Sequence, residues 1–116
     1  MALKLKSSRV NIQEFTASIC FILSNLERIH RRKLCPQPEN LVITSANDSQ
    51  HKIDSKHYKN QALDIRSKSF KSEADKYRFM TVLSHELGPK FTIIYEYPDE
   101  ANEHFHIQVK RGETFP

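Results

Sequence analysis

The sequence predicts an α+β domain in which helices cover one face of a mainly antiparallel sheet, and three observations carry that prediction. Two segments step through apolar residues at helical spacing, four shorter segments are β-rich or alternate in polarity, and the strands are linked by loops and a hairpin more than by helical crossovers. The 116 residues show no break in composition, so residues 1–116 read as a single domain.

The first helix starts at Asn11, a good N-cap with Glu14 three residues on. Its stripe is Ile12, Phe15, Ile19, Ile22, Leu26 and Ile29. Arg28, Arg31, Arg32 and Lys33 suit its C-terminal end, where the helix dipole favours positive charge, and Cys35, Pro36, Gln37 and Pro38 break it. Leu41 to Thr44 is a short run fit for a buried strand, and polar residues from Ser45 to Lys56 read as a long loop. Gln61 to Arg66 alternates, with Ala62, Asp64 and Arg66 on one face and Leu63 and Ile65 on the other. Ser72 can cap a second helix with Glu73 and Asp75 in its first turn. Ala74, Tyr77, Met80, Leu83 and Leu87 form its stripe, and Gly88 and Pro89 end it. Phe91 to Tyr97 and Glu103 to Lys110 read as a hairpin around Pro98 to Asn102. The expected order is α, β, β, α, β, β.

The net charge of +4 is a mild surplus that suits a solvated surface or an anionic polymer. No arginine-rich tract or interleaving of aromatic and basic residues points to specific nucleic-acid binding. Residues 1–9 alternate Leu with Lys and lack the apolar run of a secretory signal, and no later stretch reaches membrane-spanning length. The expectation is a monomer made in the cytoplasm. Cys20 and Cys35 would stand about 22 Å apart along a helix, too far for a disulfide. They read as free thiols in a reduced compartment, with Cys20 in the core.

The histidines carry the chemical signal. His51, His57, His104 and His106 fall in two segments that adjoin predicted strands. His104 and His106 are two apart, so their rings share a face of one strand, and the spacing of His57 and Asp64 allows both onto that face. Two imidazoles and one carboxylate form a catalytic-type zinc set, which leaves one position for water and lowers that water's pKa toward about 7. By itself a His-x-His strand is more often an exposed pair. Asp64 among Ala62, Leu63 and Ile65 needs a partner if buried, either a metal or Arg66.

The run Ser55-Lys56-His57-Tyr58-Lys59-Asn60-Gln61-Ala62-Leu63-Asp64-Ile65 resembles the S-x-H-Y-x-G-x-A-x-D-I signature of hedgehog signalling domains and M15-type D,D-peptidases. Glu103-His104-Phe105-His106-Ile107 resembles the E-H-x-H-hydrophobic ending of their phage and bacterial members. The resemblance spans residues 44–109 and implies one Zn2+ per chain on His57, Asp64 and His106. It implies His104 as a neighbour that hydrogen-bonds the zinc-bound water or the oxyanion, and Ser55 and Tyr58 as lining, while His51 matches a histidine of the hedgehog loop. Asn60 stands where the family usually has Gly. The segment 44–48 lacks the arginine that many family carboxypeptidases carry there, so help to the oxyanion would come from His51, His104 or Arg66.

The activity implied is hydrolysis of peptide bonds beside D-amino acids in peptidoglycan stem peptides, with the bacterial cell wall as the place of action. A zinc-stabilised binding module of the hedgehog type is the alternative. Two carboxylates are candidates for the base. Glu103, three residues before His106, has the spacing that resembling peptidases use and is favoured. Glu96 ends the preceding strand, where hedgehog domains carry a glutamate. Strict alternation turns Glu103 away from the histidine face unless the strand starts with a bulge or twist.

Overall fold

Alternating and helical patterns resolve into seven elements in a computed structural model, which describes residues 3–6, 17–45, 62–110 and 113. They are β1 (Leu3–Leu5), α1 (Ala17–Arg31), β2 (Leu41–Ser45), β3 (Ala62–Arg66), α2 (Glu73–Leu87), β4 (Phe91–Glu96) and β5 (His104–Val109). The described residues form an α+β fold with two helices and a five-stranded mixed sheet of order β1-β2-β3-β5-β4. Three of its four strand pairs are antiparallel.

The remaining pair corrects the expected order. β1 runs parallel to β2, pairing Leu3 with Leu41 and Leu5 with Ile43, so α1 is the crossover of a β-α-β unit. Its sequence signal is only the alternation Leu3-Lys4-Leu5. Three residues are too few to stand out from a charged terminus.

In α1, Ile19, Ile22, Leu26 and Ile29 are fully buried, as the stripe requires, while the Asn11 cap, Ile12 and Phe15 lie outside the described residues. Cys20 points outward and is exposed, one position off the apolar stripe, which corrects its placement in the core; Cys35 is the buried thiol, and both are free. The helix ends through Lys33 in the left-handed region (φ 53°), where the Leu34 N–H reaches the Ile29 carbonyl.

α2 is capped as expected. The Ser72 side chain accepts from the Asp75 N–H at 3.1 Å, and Gly88, at φ +88°, donates its N–H to the Ser84 carbonyl. Its buried stripe, however, is Lys76, Phe79, Leu83 and Leu87; Ala74 and Tyr77 are exposed and Met80 is half-buried. Phe79 sets that phase by packing against Phe70 and Phe105, with ring centroids 5.0 and 5.4 Å apart. Full burial of a large apolar side chain is worth about 1.5–3 kcal/mol, enough to decide which way a helix turns.

One continuous core joins both helices to Leu41, Ile43, Leu63, Ile65, Phe105, Ile107 and Val109. Because side chains alternate along a strand, the residues between these belong to the opposite face of the sheet. That face carries Asp64, Arg66, Glu96, His104, His106 and Gln108.

Candidate functional site

Strand order brings the site together. β3 and β5 are neighbours although α2 and β4 separate them in sequence, so Asp64 pairs in register with His106 and Arg66 with His104. β4 continues the rows on the other side of β5, with Ile94 opposite His106 and Glu96 opposite His104. Two rows result: Arg66, His104 and Glu96, then Asp64, His106 and Ile94.

Asp64 is buried and bridges the histidines. Its Oδ1 accepts from His106 Nδ1 at 2.7 Å, and its Oδ2 lies 3.7 Å from His104 Nε2. His106 Nε2 is 2.7 Å from Gln108 Oε1. Burial opposes charging of His106, but the hydrogen bond and negative charge of Asp64 outweigh it, aided by Gln108 and Glu96, and its pKa lies above the ordinary value of 6.5. His104 is fixed from both sides, Nε2 against Glu96 Oε1 at 2.8 Å and Nδ1 against the Asn102 carbonyl at 2.7 Å. The Tyr97 ring, half-exposed, lies beside His104 with centroids 5.9 Å apart.

Four of the expected site residues, Asp64, His104, His106 and Glu96, therefore share one cluster, with Arg66 at its edge. His51, Ser55, His57 and Tyr58 lie outside the described residues. Asp64 has met the need for a partner through His106, not through Arg66.

Glu103 is not brought to this face, which corrects the preference for it as the base. No bulge displaces it: β4 and β5 pair without a register shift up to Glu96 and His104, and Glu103 precedes that pair. Its side chain turns instead toward α2. One carboxylate oxygen accepts from the Asp99 N–H at 2.9 Å; the other accepts from the Ser67 hydroxyl and lies 2.9 Å from Lys76 Nζ. Lys76 also reaches Glu73 at 2.8 Å and the Tyr95 hydroxyl at 3.2 Å. Burial alone would raise the Glu103 pKa, but Ser67, Asp99 and Lys76 stabilise the anion and bring it down to about 2. A carboxylate held so firmly as an anion makes a poor proton acceptor at neutral pH. The network of Ser67, Lys76 and Glu103 was missed in the sequence because a lysine inside a helix reads as solvated surface.

The metal test divides the same way. Among the described residues, one group of three acidic side chains, Glu73, Asp99 and Glu103, brings oxygens within 4.8 Å of one another. The Lys76 ammonium already stands against Glu73 and Glu103 where a cation would lie. Asp64 and His106 fit a zinc ion in donor type and adjacency and supply two of the three expected ligands; the third, His57, lies outside the described residues.

Comparison of the chain with family models, with curated proteins and with solved structures found no match. No helix among the described residues is long and apolar enough to cross a membrane.

Proposed function

We propose that the chain is a zinc-dependent peptidase of the hedgehog/D,D-peptidase type, acting on peptide bonds beside D-amino acids in peptidoglycan stem peptides. One observation supports this above the others: Asp64 and His106, 42 residues apart, meet at 2.7 Å on the sheet face that also holds His104 and Glu96. These are the residues that the two resembling motifs and the hairpin supply. His57, Asp64 and His106 would hold the metal. A zinc ion on such a set polarises a carbonyl and activates water at neutral pH.

Glu96 is the base in this reading, in place of Glu103. The attacking water gives its proton to Glu96 as its oxygen bonds to the carbonyl carbon. The proton then passes to the leaving nitrogen as the C–N bond breaks. His104 has both ring nitrogens engaged, by Glu96 and by the Asn102 carbonyl, so its part in this reading is to orient the Glu96 carboxylate.

The engagement of Glu103 by Lys76 favours a second reading, the zinc-stabilised binding module, because the glutamate at the peptidase spacing is committed to structure. Digestion of purified peptidoglycan, with the released peptides read by mass, separates the two. New peptides that vanish with chelator and return with zinc support the peptidase; zinc binding without any release supports the module.

A further inference from the structure

Beside His104 the surface folds into a cleft of about 230 Å³ lined by Lys6, Thr44, Arg66, Lys68, Asn102 and His104. Three of these are cations, contributed by the end of β1, the end of β3 and the turn after it. Among the described residues none of the three makes an ion pair with a carboxylate. Glu103 also borders the cleft, but its charge is spent on Lys76. Arg66 is half-buried, where an unmatched guanidinium loses hydration without gaining a partner. The other side of the histidine pair is different: it carries the Glu96 carboxylate with Ile94 and Tyr97 exposed beside it, so the cations are gathered at one end of the site.

We infer that this cleft is a subsite for a carboxylate of the bound peptide, with Arg66 as its main contact and Lys68 and Lys6 as supporting charges. Arg66 sits in the same row as His104 and Glu96, so a carboxylate bound there lies next to the reacting groups. The planar guanidinium fork matches a carboxylate, whereas the two exposed lysines act as point charges. That the ligand is a peptide rests on the proposed function; the charge of the cleft does not. The carboxylate can be a peptide's C-terminus or an acidic side chain.

Equilibrium binding to the zinc-loaded full chain tests this with three probes: an acetylated D-alanine dipeptide with a free C-terminus, the same peptide capped as its amide, and a C-terminally amidated dipeptide whose only carboxylate is a D-glutamate side chain. At least one free-carboxylate peptide should bind about ten-fold more tightly than the capped one, and which does so identifies the source. Arg66→Gln should erase that preference while retaining zinc, and Lys68→Gln should reduce it about three-fold, as expected for an exposed charge. Equal binding of all three peptides to the wild type, or a preference surviving in Arg66→Gln, would overturn the inference. Preference without turnover sinks the peptidase and keeps the subsite; turnover without preference does the reverse.

Discussion

Glu103→Ala should unfold the protein more easily without touching the metal. The substitution leaves Lys76 buried with only Glu73, itself half-exposed, as a carboxylate partner, and deprives the Ser67 hydroxyl and the Asp99 N–H of their acceptor. Breaking a buried pair from one side costs about 3–5 kcal/mol, and because Glu73 remains, the lower end applies. With a urea m-value of about 1–3 kcal/mol/M for a domain of this size, a loss of about 3 kcal/mol should lower the midpoint by roughly 1–3 M. Adding Lys76→Met removes the orphaned charge and should recover most of that loss. Linkage gives the same network a pH signature. The Glu103 pKa is depressed from 4.5 to about 2, so its contribution is fully present above the unfolded value and is lost as pH falls from about 4.5 to 2. The shift corresponds to about 3 kcal/mol, which is the same interaction expressed as proton affinity and is not additional to the first figure. Urea titrations of wild type and variant at pH 7 and pH 3 check both. A midpoint that moves by less than about 0.5 M at pH 7, or a variant that unfolds at wild-type urea but loses zinc, would refute the structural assignment of Glu103.

Glu96→Ala should bind zinc as the wild type does and lose most peptide release, about 100-fold or more for a missing general base; substantial activity in that variant would exclude Glu96 from the role. Stripping the metal should lower the melting temperature by about 10 °C, since ligands from separate strands are joined only in the folded chain, and an identical melting curve in chelator would contradict a native-state site. One thiol per chain, Cys20, should react rapidly with an alkylating reagent. Cys35, buried and with its pKa raised chiefly by desolvation, should react only after unfolding, and two fast thiols in the native protein would contradict its packing.

Periodicity made the long elements legible. α1 from Ile19 to Ile29, the capped start and glycine stop of α2, and the hairpin all follow from apolar spacing and terminal chemistry that act locally. The misplaced features depend on tertiary contact. β1 exists because Leu3 and Leu5 find β2 across a helix, and the phase of α2 is set by Phe79 meeting Phe70 and Phe105. Lys76 is buried because Glu103, distant in sequence, is there to receive it. The site shows the same division. Alternation put Asp64 and Arg66 on one face of their strand and His104 and His106 on one face of theirs; spacing and the resembling motifs suggested that Asp64 shares the histidine face, and the adjacency of β3 and β5 is what joins them. For the base, spacing to His106 argued for Glu103 and alternation argued against it. The strand begins at His104 without a bulge, so alternation prevailed.

Metal content is the most direct test of the central claim that Asp64 and His106 are zinc ligands. Protein purified without chelator, analysed by elemental mass spectrometry beside folded Asp64→Ala and His106→Ala variants, should carry close to one zinc per chain in the wild type and almost none in either variant. Zinc retained at wild-type affinity in both variants, or a zinc-free wild type that takes up no metal when zinc is supplied, would contradict the account.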